Sequence, residues 1–182
     1  RWIENGTPRG EGEDPLPSVE FEVPEWPLGE PDLVLELDPF DIPATGVVDY
    51  QYPVVANPMT EDNWLRATTI QVGTRDTVHH ALTGYMSEMP PPGATDTFGR
   101  WEFSTGTYAV GEESMIHPDN SGVPFPAGGA IGFQMHYTPN GREVTDRTRV
   151  GFYFHDEQPE LYTRSYVIVD PTITIPPGEE RH

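Results

Sequence analysis

Two short histidine segments lie about fifty residues apart in this chain of 182 residues. The first is Thr77-Val78-His79-His80-Ala81-Leu82 and the second is Phe133-Gln134-Met135-His136-Tyr137. Both stand in apolar, strand-like surroundings. Three imidazoles are enough to hold one zinc or copper ion. The residue types therefore indicate a candidate metal site formed by His79, His80 and His136.

Adjacent histidines raise a geometric difficulty, because neighbours on a regular strand point to opposite faces of the sheet. His79 and His80 reach one ion only if the strand ends, twists or bulges there. The alternative is a pair with one ring buried and hydrogen-bonded and the other solvated, with His136 a hydrogen-bonded sheet residue. Asp76 is either an acceptor for an imidazole N–H or a turn residue, and the turn is favoured.

Strand alternation separates Met135 from His136. Met135 shares one face with Ile131 and Phe133, whereas His136 shares the other with Gln134. Met135 is therefore predicted to be a core residue and not a ligand to the same ion as His136.

Three further histidines stand outside these segments, and one of them, His182, is the last residue and carries no pattern. Met115 and His117 together offer a thioether and an imidazole, which suit copper(I), but the following Pro118 favours a loop. His155 follows a predicted strand and is expected to be solvated.

Composition limits the function classes. The chain has 30 Asp and Glu against 10 Lys and Arg, a formal net charge of −20. Such an acidic surface repels phosphate backbones and anionic lipids, so nucleic acid is not an expected partner. There is no cysteine, which excludes disulfides and thiolate metal sites. No apolar run approaches the roughly 18 residues of a membrane span.

The pattern of short segments predicts an all-β fold, an antiparallel β-sandwich. Runs rich in Val, Ile, Thr and aromatic residues alternate with Gly, Pro, Asn and Asp. Asn140-Gly141 is a hairpin signal between two such runs. The predicted strands are 33–37, 46–52, 64–72, 77–85, 100–104, 130–137, 149–154 and 162–169.

The chain divides into three predicted parts. Residues 1–31 form an extended linker or the tail of an upstream element, in which Arg1 to Gly6 indicate the last turn of a helix with a Gly stop. These residues are expected to pack poorly, because they bury few apolar side chains apart from Trp2, Phe21 and Trp26. Residues 32–170 form the sandwich, and residues 171–182 start a following domain or linker.

A family resemblance joins these observations. The segments Asp62 to Ala67, Val78-His79-His80-Ala81-Leu82 and Phe133 to Gly141 resemble the first copper domain of the type II, ascorbate-dependent copper monooxygenases. That family includes peptidylglycine α-hydroxylating monooxygenase and dopamine β-monooxygenase. Leu28 to Leu35 and Phe40 to Gly46 are similar to its bacterial members. The absence of cysteine departs from the disulfide-rich animal members.

The resemblance implies a jelly-roll type of sandwich in an extracytoplasmic protein, with His79, His80 and His136 holding an electron-supplying copper. It also implies a partner: a second copper domain, or an upstream cytochrome-like domain of a longer parent chain. The family's catalytic copper needs an H-x-H pair and a methionine in the second domain, and this chain has no H-x-H. The expected function is therefore one part of a copper monooxygenase, an oxidoreductase, with the catalytic site elsewhere. The alternative is a non-catalytic β-sandwich, copper-binding or metal-free, that serves binding or assembly.

Overall fold

The architecture comes from a computed structural model that describes residues 1–12, 24–95, 97–166, 168, 170 and 172–180. Within these residues, twelve strands follow one another, with one short 3₁₀ turn at Phe98–Arg100. The strands are β1 Leu33–Glu36, β2 Phe40–Ile42, β3 Val54–Ala56, β4 Asn63–Gln71, β5 Val78–Met86, β6 Phe103–Ala109, β7 Ser114–Ile116, β8 Ser121–Phe125, β9 Ala130–Tyr137, β10 Val144–Asp146, β11 Arg149–Phe154 and β12 Leu161–Tyr162. In the described part of the chain, no helix is long and apolar enough to cross a membrane.

The strands form two larger sheets and one small one. The six-stranded sheet has the order β1-β11-β4-β8-β12, with β7 also paired to β4, and the four-stranded sheet has the order β3-β9-β5-β6. Strands β2 and β10 form a separate pair. Pairing is antiparallel except between β12 and β8. The prediction of an all-β antiparallel sandwich is confirmed, while the jelly-roll assignment stays a prediction.

The core lies between the two larger sheets because each strand turns its apolar residues inward. Ile70 and Phe152 of the six-stranded sheet join Phe133 and Met135 of the four-stranded sheet in one fully buried cluster. Met135 is fully buried, as predicted.

The outer face of the four-stranded sheet is the face that carries the histidines. Gly84 and Gly132 are paired across β5 and β9, and the Trp101 indole lies directly over both. A Cβ atom would come within 2.2 Å of the indole at Gly84 and within 2.4 Å at Gly132. These two glycines therefore leave the space that the Trp101 ring fills.

Several predicted elements differ from the structure. Residues 46–52 form no strand, and only Gln51 makes a bridge, to Met135. Asn140-Gly141 is not a hairpin turn, because β9 and β10, which flank it, belong to different sheets. Instead, Gly141 adopts φ 95° and donates its N–H to Ala44 O at 2.8 Å.

The ends of two strands also differ from the prediction. The predicted strand 162–169 is reduced to β12, and Val167 and Val169 lie outside the described residues. The strand predicted at 100–104 begins later, at Phe103, because Phe98–Arg100 forms the 3₁₀ turn.

The burial predicted for the N-terminal segment is confirmed at one residue. Trp26 is buried, with its ring beside Gly151 and 5.1 Å below the Arg149 guanidinium. The prediction that Trp2 is buried is wrong, because its ring is exposed and its indole N–H donates to Pro8 O at 3.0 Å, while Phe21 lies outside the described residues. Gly6 N–H donates to Ile3 O and Thr7 N–H donates to Trp2 O, which is the bonding of a Gly-terminated helix end.

Candidate metal site

The three predicted histidines meet at one end of the four-stranded sheet. The Nδ1 atom of His79 lies 3.2 Å from His80 Nδ1 and 3.2 Å from His136 Nδ1. The Nδ1 atoms of His80 and His136 are 3.3 Å apart. His79 is exposed, while His80 and His136 are half-buried. Among the described residues, no other group of three histidine or acidic side chains converges in this way.

A β-bulge resolves the difficulty posed by adjacent histidines. Val78 pairs with Tyr137 and His80 pairs with His136, so β5 advances two residues where β9 advances one. His79 is the extra residue. Val78 and Ala81 are consequently both buried in the core, although they are three residues apart, and both histidines between them point outward. In the sequence, the pattern apolar-His-His-apolar at residues 78–81 indicates such a bulge.

The start of β5 is held firmly by its turn. Val78 N–H donates to Thr74 O at 3.0 Å, and Thr138 N–H donates to Thr77 O at 2.7 Å. The Thr74 and Thr77 hydroxyls are 2.6 Å apart. These bonds fix where the strand begins, and hence where the extra residue falls in the register.

Asp146 ties the two histidine segments together from beneath. Its buried carboxylate accepts hydrogen bonds from the N–H groups of Gly73 and Thr74, at 2.9 and 3.2 Å. The same carboxylate accepts one from Tyr137 Oη at 3.2 Å. Gly73 and Thr74 precede the first histidine segment, and Tyr137 follows His136. The Asp146 side chain therefore fixes the positions of both histidine segments. Burial, and then Asp146, raises the pKa of Tyr137, so its phenol stays protonated as the donor.

Tyr50 is a member of the site that the sequence did not reveal. Gln51 exchanges backbone hydrogen bonds with Met135, 3.1 and 2.8 Å long, which sets Tyr50 opposite His136. The Tyr50 ring stacks on His136 with centroids 4.7 Å apart and lies 5.8 Å from the His80 ring. Tyr50 lies in residues 46–52, for which the alternation of the sequence predicts a strand and no role in the metal site.

Asp76 serves the turn and not an imidazole. Its carboxylate accepts hydrogen bonds from Asn140 Nδ2 at 2.6 Å and from Arg142 at 2.9 Å. The favoured interpretation of Asp76 as a turn residue agrees with this arrangement.

The other two candidate histidines lie apart from the cluster, near the six-stranded sheet. His117 is buried, with 9% of its surface exposed, and its Nε2 has no hydrogen-bond partner. Burial, and then the neighbouring His155, lowers the pKa of His117. His155 is not simply solvated, because its Nε2 lies 2.9 Å from Ser121 O.

The three Nδ1 atoms form an unusual arrangement in chemical terms. A hydrogen bond between two ring nitrogens needs one N–H and one lone pair, so internal hydrogen bonds cannot satisfy three mutually close nitrogens equally. A cation satisfies all three lone pairs at once. Burial, and then His136 and His79, lowers the pKa of His80 and favours its neutral, ligand-competent form.

The spacing also fits one ion. Two nitrogens bound tetrahedrally at about 2.0–2.1 Å lie about 3.3–3.4 Å from each other, and the observed separations are 3.2, 3.2 and 3.3 Å. The donor set contains imidazole only, with no thiolate or carboxylate among the described residues of the cluster. Such a set suits copper or zinc and not calcium or magnesium.

Fold and site together define an all-β sandwich with a candidate three-histidine metal site. Comparison of the sequence with protein-family models and with curated proteins found no match.

Proposed function

We propose that His79, His80 and His136 bind one copper ion, and that this chain is the electron-supplying half of a two-copper monooxygenase. The observation that carries the proposal is the convergence of three Nδ1 atoms at 3.2–3.3 Å. The spacing and the all-imidazole donor set support copper or zinc equally. The choice of copper rests on the resemblance of the histidine segments to the first copper domain of that family.

Each part of the site has a defined task in this proposal. The bulge presents His79 and His80 on the same face, Asp146 aligns the two segments, and the Tyr50 ring orients His136. When bound, copper would supply one-electron oxidation and reduction. The exposed position of His79 leaves the cluster accessible to a partner that gives or takes electrons.

The proposal assigns substrate oxidation to another domain. Among the described residues, His79, His80 and His136 form the one group of three His, Cys, Asp or Glu side chains that could hold an ion, and the sequence has no H-x-H pair for a second ion. By the resemblance, the proposed partner is a second copper domain, with an upstream cytochrome-like domain as the other candidate, and the proposed location is extracytoplasmic.

Copper loading tests the proposal directly. The purified chain, stripped of metal, is titrated with copper(II) against a competing chelator, and electron paramagnetic resonance reports nitrogen ligation. We expect one copper per chain with imidazole hyperfine structure. His79→Ala, His80→Ala and His136→Ala should each weaken binding at least tenfold, while the control His155→Ala keeps full affinity.

Two results would contradict this function. Binding that survives all three substitutions would place the metal elsewhere. A chain that binds neither copper nor zinc, although folded, would favour the metal-free binding or assembly module instead.

A further inference from the structure

A cleft of about 490 Å³ lies beside the histidine cluster. This volume is within the range of about 300–1,000 Å³ that is usual for small-molecule sites. Its walls come from four separate parts of the chain: residues 37–40 at the start of β2, the segment before β3, the loop Gly93 to Thr95, and Tyr137 at the end of β9.

Aromatic rings dominate the lining of this cleft. Phe40 stacks on Tyr137 with centroids 4.9 Å apart, and Tyr50 lies 6.5 Å from Tyr52. All four rings line the cleft. Flat, largely apolar walls favour a flat, apolar ligand, because aromatic pairs gain from offset stacking beyond the area that they bury.

Tyr50 belongs to both the cleft and the histidine cluster. Its ring lines the cleft and also stacks on His136 at 4.7 Å. With 43% of its surface exposed, Tyr50 has room for a further contact. A ligand against Tyr50 would therefore be one aromatic ring away from an imidazole of the cluster.

The charge of the lining determines which ligands are rejected. Asp38 is the one charged side chain among the described residues that line the cleft, and the whole chain carries a formal charge of −20. An anion would meet repulsion without a compensating cation. The carboxylate of Asp38 can accept a hydrogen bond from a hydroxyl or an ammonium group.

We propose that this cleft is a binding site for a small aromatic compound that carries no negative charge, with Tyr50 and Tyr52 as its stacking walls. The inference goes beyond the proposed copper site and does not depend on it, since none of the three histidines lines the cleft. Electron exchange between such a ligand and a copper ion at the histidine cluster would depend on the proposed function, whereas binding of the ligand would not.

A charge series of single-ring probes tests the proposal on the metal-free protein. Phenol, benzylammonium and benzoate have nearly the same ring but differ in charge, and methyl glucoside replaces the aromatic ring by a sugar. Binding is followed by nuclear magnetic resonance titration of the labelled chain. We expect saturable binding of phenol and benzylammonium, with shifts around Tyr50, Tyr52 and Asp38, and no saturation with benzoate or the glucoside.

Matched variants assign the site. Tyr50→Ala and Tyr52→Ala should each weaken phenol binding about threefold to tenfold, through the loss of one stacking partner. Tyr162→Ala removes an exposed tyrosine of β12 and should leave the affinity unchanged. Asp38→Asn should allow benzoate to bind measurably better.

Several outcomes would overturn the inference. These are benzoate binding as tightly as phenol, saturation by the glucoside in place of the aromatic probes, or phenol affinity unaffected by either tyrosine substitution in a folded protein. Because no metal is added, each of these results is separate from success or failure of the copper proposal.

Discussion

Tyr137 Oη donates a 3.2 Å hydrogen bond to Asp146 Oδ2, and this contact joins the residue after His136 to the turn that precedes His79. Asp146 is 2% exposed and also accepts from Thr148 Oγ1 at 2.7 Å. A metal site built from two distant segments needs such a common anchor, because a displacement of either segment would separate the imidazoles.

Replacing Asp146 should therefore damage both stability and the site. Asp146→Asn turns an acceptor of several hydrogen bonds into a group that also donates, so buried donors lose their partner. We expect the free energy of unfolding to fall by about 2–4 kcal/mol, measured by urea denaturation. The exposed Asp41, which accepts from Thr145 Oγ1 at 2.6 Å in the neighbouring strand pair, provides the control. Asp41→Asn should change stability by about 0.5 kcal/mol or less, and equal losses would contradict the anchor role.

The bulge predicts different outcomes for two single-residue deletions. Removing His79 leaves Val78, His80 and Ala81 in regular alternation, so the core face is preserved. Removing Ala81 instead shifts every later residue of β5 by one position, so that the side chains facing the core turn to the outer face of the sheet. We expect the chain without His79 to fold with a cooperative unfolding transition and to bind copper at least tenfold more weakly. The chain without Ala81 should lose the cooperative transition, and similar behaviour of the two would argue against the bulge.

Stacking by Tyr50 should tune metal affinity without supplying a ligand. Tyr50→Ala removes the ring that stacks on His136, worth about 0.5–1.5 kcal/mol, which corresponds to about a twofold to tenfold loss of copper affinity. Tyr50→Phe keeps the ring and should keep the affinity. Competition titration distinguishes the cases, and a large loss in the Phe variant would mean that the hydroxyl acts instead.

His117 should make stability depend on pH. Its lowered pKa means that the unfolded chain takes up a proton first as pH falls below about 6.5. Stability from this group is thus fully present above that pH and declines on acidification. The variant His117→Phe cannot titrate, so its free energy of unfolding should fall less between pH 7.5 and 5 than that of the wild type. Parallel pH profiles from denaturant unfolding would contradict this.

Activity of the isolated chain should stop at electron transfer. Loaded with copper and given ascorbate, the protein should show reversible reduction by loss of its copper(II) resonance signal. It should not hydroxylate peptidyl-glycine, phenethylamine or polysaccharide substrates, because the sequence has no H-x-H pair for a second ion. Product analysis beside oxygen uptake is the measurement. Stoichiometric hydroxylation that His136→Ala abolishes would instead identify a single-copper monooxygenase.

Local sequence patterns are sufficient to predict the β-sandwich and its two histidine strands, because side-chain alternation and turn residues act over a few neighbouring positions. The predicted strands 130–137 and 149–154 coincide with β9 and β11, and the alternation that made Met135 a core residue holds. The same patterns predict that His79, His80 and His136 share a site, although a regular strand would point His79 and His80 to opposite faces.

The way in which the three imidazoles meet depends on contacts between distant segments, which local patterns do not specify. The bulge depends on the pairing of β5 with β9, a relation between residues more than fifty positions apart. Tyr50 and Asp146 enter the site through the same long-range contacts, and Asn140-Gly141 failed as a hairpin because its neighbouring strands pair elsewhere. Local preferences specify which segments become strands, whereas partner and register follow from burying one face of each sheet against the other.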